Sequence, residues 1–272
     1  MKPDDILWEH LKTVPAFRAL LRAMEARFYE DLLPLADPVL DVGCGDGHFA
    51  SLAFPRALAA GIDPSAGMLV EARERGAHVV LSQSVGEALP FGDGTFSTVI
   101  SNSVLEHIPD VDPVLAEISR VLKRPTSGNG KDRGLFIFCV PSEYFTEFLF
   151  FSGLFDRMGL EGLARAYEGY FNRISRHHHC IGPDDWRGRL GRAGLKLVDF
   201  FYYFSERAHH ALDLGHYLGV PNLIAKRLTG RWVLFPSHRN PVLAATEQWL
   251  RPLYEEPLPE VGAYLFLVAE KA

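Results

Sequence analysis

Cysteine is scarce. Cys44, Cys139 and Cys180 are the only three in 272 residues, and an odd number at wide spacing excludes a disulfide framework as the basis of the fold. A reducing, cytoplasmic setting is the expectation. Runs of Lys or Arg are missing as well, and 28 basic against 34 acidic residues leave a formal net charge of −6. Without a basic footprint for a phosphate backbone, no nucleic-acid partner is expected. Long apolar runs are absent too. The start, Met1-Lys2-Pro3-Asp4-Asp5, mixes charges through Arg27 and lacks the apolar stretch of a signal peptide. The greasiest stretch, Phe145–Phe155, is broken by Glu147 and Gly153 and is too short to span a bilayer. No transmembrane segment is expected, and there are no internal repeats or low-complexity tracts.

What is present is ample apolar material: 47% of residues are hydrophobic and 23% charged, enough for a large core without a metal or disulfide staple. Short apolar runs read as strands at Val39–Val42, Ala57–Ile62, His78–Leu81, Phe96–Ser101, Leu135–Val140, Leu195–Tyr203 and Tyr264–Ala269. Helical patterns lie between them at His48–Phe54, Ser65–Arg75 and Pro113–Leu122, the last with Asp112 as its expected N-cap. A further helix opens at Pro183-Asp184-Asp185 and ends near Gly194. This alternation predicts an α/β fold, a doubly wound, mostly parallel seven-stranded Rossmann-like sheet with helical cap insertions. Residues 1–37 read as an N-terminal helical cap on a domain of residues 38–272, into which cap segments 141–182 and 204–260 are inserted. Pro125–Gly134 reads as an exposed loop.

Chemistry enters at Asp41-Val42-Gly43-Cys44-Gly45-Asp46-Gly47. Glycines at alternate positions between a strand and a helix bring backbone N–H groups and a helix N-terminus close to a ligand, which favours a nucleotide-like molecule. Asp63 ends the next strand, twenty residues after Gly43, where a carboxylate can accept from ribose hydroxyls. A nicotinamide oxidoreductase is the rival, but its fingerprint needs a further Gly where His48 stands.

Four blocks in this order and spacing resemble the class I S-adenosylmethionine (AdoMet)-dependent methyltransferases, especially the type 11 group that includes ubiquinone/menaquinone-type enzymes. They are Asp41–Gly47 (DVGCGDG), Gly61–Met68 (GIDPSAGM), Glu87–Phe96 (EALPFGDGTF) and Ser101–Pro109 (SNSVLEHIP), followed by Glu117–Lys123 (EISRVLK). The resemblance is close over roughly residues 37–140 and looser over the 184–204 helix and strand. It implies AdoMet as cofactor, with S-adenosylhomocysteine as product. Asp41, Gly43, Cys44 and Gly45 would surround its methionine end, Asp63 would bind the ribose, and Pro64 and Met68 would pack near the adenine. The family usually has an Asp where Val85 stands, so the base would be read by backbone at Val85 and Gly86 or by Ser84. Asn102 would face the sulfonium. The family's Lys-Pro-Gly-Gly is replaced by a longer loop from Lys123, on the edge away from the cofactor.

Methyl transfer is a displacement in which the protein mainly aligns a nucleophile and excludes water. Where the acceptor must lose a proton, His is the best-suited base, and His107 is the candidate; a structural histidine before Pro109 is the competing reading. Glu106 is expected to face solvent rather than orient its neighbour. His177-His178-His179-Cys180 invites a metal, but on a strand only His177 and His179 would share a face, so no metal site is expected and one of these histidines is taken to point into the pocket. The aromatics Tyr144, Phe145, Phe148, Phe150, Phe151, Phe155, Tyr167, Tyr170 and Phe171 could line an apolar pocket or meet a membrane surface, and for most of them packing is the simpler reading. Trp8, Phe17, Phe28 and Tyr29 fit an N-terminal amphipathic helix closing over the cofactor, with core packing alone as the competing reading.

The acceptor is read as a small molecule or a lipid-linked one, with peripheral membrane contact compatible. Asn102-Ser103-Val104-Leu105 lacks the Asn-Pro-Pro-Tyr associated with adenine or glutamine amide nitrogen. The alternative from another class is a non-catalytic AdoMet-fold binding module, for which Val85 speaks.

Overall fold

The computed structural model describes residues 5–125, 133–237 and 239–272. Its strands are β1 (Val39–Val42), β2 (Leu58–Asp63), β3 (His78–Gln83), β4 (Thr98–Asn102), β5 (Leu135–Pro141), β6 (Leu195–Tyr203) and β7 (Tyr264–Lys271). The helices are α1 (Ile6–Leu11), α2 (Ala16–Glu30), α3 (His48–Ala53), α4 (Ala66–Arg75), α5 (Asp112–Val121), α6 (Phe150–Arg157), α7 (Glu161–Ser175), α8 (Pro183–Arg192), α9 (Glu206–Leu218), α10 (Val220–Thr229) and α11 (Pro241–Tyr254). All seven predicted strands form, in one sheet of order β3-β2-β1-β4-β5-β7-β6. The β1–β2, β1–β4, β2–β3 and β4–β5 pairs are parallel, and β7 runs antiparallel to β5. The order reverses at β1, where β2 lies on one side and β4 on the other, and such a switch point opens a crevice at the strands' C-terminal ends.

The chain divides into two compact units. One comprises Leu32–Glu143, Ser175–Tyr202 and Tyr264–Ala272 and holds the sheet. Its core follows from period-two alternation. Phe136, Phe138 and Val140 of β5 stand opposite Ala269, Leu267 and Leu265 of β7, and this face packs with Val114, Leu115 and Ile118 of α5 and Trp186 and Leu190 of α8. The intervening residues Ile137, Cys139 and Phe266 are buried on the other face, where Phe201 stacks on Phe266 at 5.0 Å. Each fully buried large side chain of this kind contributes roughly 1.5–3 kcal/mol. None of the three cysteines is in a disulfide.

Two local expectations change. Asp112 does not cap α5: Val111 holds that position without a side-chain bond, while the Asp112 carboxylate accepts from Arg189 of α8 at 2.6 Å and lies 3.3 Å from Arg192. Those two guanidinium groups draw the side chain away from the helix amides and hold its carboxyl below the usual range. Phe96 precedes β4 rather than opening it, because its amide bonds Val121 and its carbonyl accepts from Lys123 at the exit of α5. Residues 126–132 of the expected loop lie outside the described residues.

The other unit comprises Met1–Asp31, Tyr144–Ile174 and Tyr203–Ala263. Trp8 of α1 and Leu20, Met24 and Tyr29 of α2 are buried there. Arg251 of α11 meets Asp5, the N-cap of α1, at 2.6 Å, and the buried Tyr203 hydroxyl donates to Glu25 at 2.8 Å. The aromatic residues pack on one another: Tyr144 stacks with Phe148 at 5.5 Å, Phe145 meets Phe171, and Tyr167 donates to the buried Asp213 while accepting from the Tyr217 hydroxyl at 2.9 Å. Phe28 meets Tyr203 edge-on and Phe17 meets His216. No helix among the described residues is long and apolar enough to cross a membrane.

Candidate active site

The turn after β1 is forced by glycine. Gly43, Gly45 and Gly47 have φ of +80°, +53° and +72°, values that cost a side-chain-bearing residue about 1–2 kcal/mol each. The amides of Gly43 and Cys44 both donate to the Ile62 carbonyl at 2.9 Å, which clamps the turn to β2, and Gly47 closes back on Cys44 at 3.0 Å. Asp46 then accepts from the His48 amide at 3.1 Å as α3 begins. A Cβ on Gly43 would stand 2.5 Å from both Val104 methyls, whereas one on Gly45 would meet nothing within 4 Å. The turn is therefore packed at its first glycine and open at its second.

Asp63 faces that open side. Its Oδ2 accepts from the Gly45 amide at 3.1 Å and its Oδ1 from the Ser65 amide at 2.8 Å. An ionised carboxylate has about four acceptor positions, so two remain for other donors. Ser65 caps α4, leaving Met68 in its first turn 45% exposed; the Pro64 carbonyl is fixed by Gln83 at 3.0 Å. Ser84 donates its amide to the Asp63 carbonyl at 3.3 Å, bringing Val85, 44% exposed, beside the acid. The Ser84 hydroxyl turns inward to the Ala88 carbonyl at 2.6 Å. Gly86 packs closely, since a Cβ there would lie 2.8 Å from Val114.

Asp41 and Cys44 are turned toward the sheet. The Asp41 carboxylate is buried with its Oδ2 2.9 Å from the buried His78 Nε2. Burial, reinforced by the charges of Asp41, Asp63 and Asp46, pushes the Cys44 thiol well above its usual range, so it stays protonated and unreactive.

At the end of β4, Asn102 is buried and Ser103 takes a φ of +53° with its amide on the Cys139 carbonyl at 3.0 Å. A 3-10 turn, Leu105–His107, follows. This turn is laced to the segment after α7 by three bonds. The His178 amide donates to the Glu106 carbonyl at 2.7 Å, His107 Nδ1 lies 3.2 Å from the Arg176 carbonyl, and His179 Nε2 lies 2.9 Å from the Ile108 carbonyl. His107 remains 44% exposed at its side chain, with Nε2 3.7 Å from Glu106 Oε1.

Glu106 departs from its expected place: its side chain is 2% exposed rather than in solvent, because the 176–179 segment covers it. Nor is the histidine run a strand. Arg176 has a φ of +56°, which ends the helical path, and the irregular backbone beyond sends His177 onto the His107 ring, centroids 5.3 Å apart, while His179 turns to the Ile108 carbonyl. Burial, with the neighbouring His107 and His178, pulls His177 down to about 3, leaving it neutral. His78, the partner of Asp41, was not singled out by sequence reasoning; its place at the first position of β3, one strand beyond the acid's neighbour, is the signal that could have found it.

A family model described as a methyltransferase domain matches residues 40–125. Those residues are a class I methyltransferase domain of the type 11 group. The family uses AdoMet, and the match runs from the glycine turn through α5, so it contains Asp63, Asn102 and His107. Among curated relatives, the ubiquinone/menaquinone biosynthesis C-methyltransferase UbiE of Desulfotalea psychrophila is 42% identical over 95 residues, 33% of this chain and 39% of its own length. The malonyl-[acyl-carrier protein] O-methyltransferase of Geobacter sulfurreducens is 30% identical over 190 residues, 68% of this chain and 64% of its own. The chain thus spans 39% and 64% of the two relatives' lengths. Among solved structures, a methyltransferase of Thermotoga maritima described as a possible histamine N-methyltransferase aligns with a TM-score of 0.56 over 94% of this chain and 91% of its own, at 18% identity. That likeness shows the fold alone.

Proposed function

We propose that the chain transfers the methyl group of AdoMet to a small-molecule or lipid-linked acceptor by direct in-line displacement. One observation carries this reading: the Asp63 carboxylate, held by the Gly45 and Ser65 amides, borders the open side of a turn whose glycines leave room for a ligand. The donor set suits a nucleoside with an amino-acid tail. Two acceptor positions of Asp63 suit ribose hydroxyls, the Gly43–Gly45 backbone suits the methionine end, and the exposed Met68 and Val85 offer apolar surface to a base. Pro64 and the Val85–Gly86 backbone complete that edge, Cys44 and Asp41 support the turn from beneath, and Asn102 stands at the end of β4 on the sulfonium side.

The cofactor, when bound, supplies an activated methyl group and its own leaving group, so the protein's part is alignment and water exclusion. His107 is the proton acceptor in this reading. With Nδ1–H donating to the Arg176 carbonyl, Nε2 carries the lone pair a base needs.

An apolar or lipid-linked acceptor fits α10, none of whose residues is buried. Val220, Leu223, Ile224 and Leu228 are exposed there beside Lys226 and Arg227, in a stretch without an acidic residue between Asp213 and Glu247. Exposed apolar side chains among cations suit an anionic lipid surface.

Calorimetry with S-adenosylhomocysteine tests the core of the reading. Saturable binding is expected, weakened by about a hundredfold or more in Asp63→Ala, as follows from losing two hydrogen bonds to a charged acceptor at roughly 1.5–3 kcal/mol each. No detectable binding to the wild-type chain would overturn it.

A further inference from the structure

We infer that Glu106, His107 and His177 form a binding site for a divalent transition-metal cation of the zinc type. Each offers one ligand atom, and the three atoms lie within 4.8 Å of one another. Donors bound to zinc at about 2.0–2.2 Å in a tetrahedron stand about 3.3–3.6 Å apart. Glu106 Oε1 and His107 Nε2 are already 3.7 Å apart, so closure on an ion needs movement of little more than about 1 Å. Two imidazoles and one carboxylate make a donor set suited to a borderline divalent metal with an open coordination position.

Three further features match a metal centre. The first is the hydrogen bond from His107 Nδ1 to the Arg176 carbonyl, which fixes the tautomer that presents Nε2; ligating histidines are regularly oriented by such a carbonyl. The second is rigidity, since the bond from the His178 amide to the Glu106 carbonyl ties the two ligand-bearing segments together across 72 positions of sequence. The third is access. Glu106 is buried while the His107 side chain is 44% exposed, so an ion has a route to a carboxylate whose charge it neutralises away from water.

The consequence for chemistry rests on the proposed methyl transfer. A cation held on the turn after β4 would polarise an acceptor oxygen and lower its pKa, so the acceptor's proton would pass to solvent water before the oxygen takes the methyl from the sulfonium and S-adenosylhomocysteine leaves, and no imidazole base would be needed while the ion is bound. The acceptor class narrows accordingly to molecules that present an oxygen, such as a hydroxyl, an enol or a carboxylate.

Zinc binding to the full-length apoprotein, read by calorimetry without cofactor or acceptor, tests the site independently of methyl transfer. One saturable site is expected, weakened tenfold or more in His177→Gln; loss of even an outer-shell partner costs about 10–100-fold. His178→Gln should leave binding unchanged, because that neighbour contributes its backbone amide and not its ring. Circular dichroism checks that both variants fold, and Glu106→Gln repeats the test from the carboxylate side. Absence of saturable zinc binding, equal affinity in His177→Gln, or equal loss in His178→Gln would overturn the inference. S-adenosylhomocysteine binding measured on the same samples separates that result from failure of the methyltransferase reading.

Discussion

At Gly43, the backbone φ of +80° and two Val104 methyls 2.5 Å from where a Cβ would stand act together against any side chain. At Gly45 only the conformation does, because the space beyond it is open. Gly43→Ala is therefore expected to cost the left-handed penalty of about 1–2 kcal/mol plus about 1–3 kcal/mol of overpacking, and Gly45→Ala the first contribution alone. Urea denaturation of the two variants checks the order. Gly45→Ala should in addition lose S-adenosylhomocysteine affinity out of proportion to its stability change, since its methyl enters the space assigned to the ligand. At this scale the sequence was informative where partners are local. The glycine spacing and the place of Asp63 at a strand end could be read directly. The burial of Glu106 could not, because what covers it arrives from residues 176–179, and the pairing of Asp41 with His78 depends on strand register rather than on spacing.

Among the elements, α5 is the one that explains why two separate sequence blocks belong together. Arg120 donates to Glu117 at 2.6 Å and to the carbonyls of Leu89 and Phe91 at 3.1 and 2.8 Å, while Glu117 accepts from the Leu89 amide at 2.9 Å. The Glu87–Phe96 loop is thereby fastened to the helix. The bond from Arg120, then the Leu89 amide, hold the Glu117 carboxyl below its ordinary 4.5 against the opposing effect of burial. A carboxyl depressed by folding contributes stability above pH 4.5 and loses it as pH falls through its folded value. Glu117→Ala is expected to lower stability by about 1–3 kcal/mol at pH 7, and the gap between variant and wild type should shrink as pH drops below 4.5. Chemical denaturation at neutral and acidic pH measures it, and a gap independent of pH would count against this account. The strands and helices of this unit were legible from alternation and caps, save where a tertiary partner intervened: Asp112 reads as a cap until Arg189, 77 residues on, draws it aside.

For the molecule as a whole, charge is unevenly spread. A formal −6 overall coexists with the acid-free stretch around α10, where Arg227 and Arg231 are exposed with Leu228 and Phe235. Co-sedimentation with vesicles containing phosphatidylglycerol is expected to retain the protein at low salt and release it as salt rises, whereas neutral vesicles should not retain it. Replacing Ile224 and Leu228 by Ser should abolish retention without affecting S-adenosylhomocysteine binding, because neither residue belongs to the sheet unit. Equal retention on both vesicle types would remove this support for a lipid-linked acceptor. None of this was legible from overall composition, which averages the acid-free stretch with the rest.

The three bonds between the 105–108 turn and residues 176–179 lie where the chain rejoins the sheet unit after Tyr144–Ile174. They act as a splice. Whatever helices are carried by the intervening stretch, the returning strand of chain is caught and held in register beside His107. The length and sequence of that insertion are therefore free to differ while the histidines on either side of the splice keep their spacing.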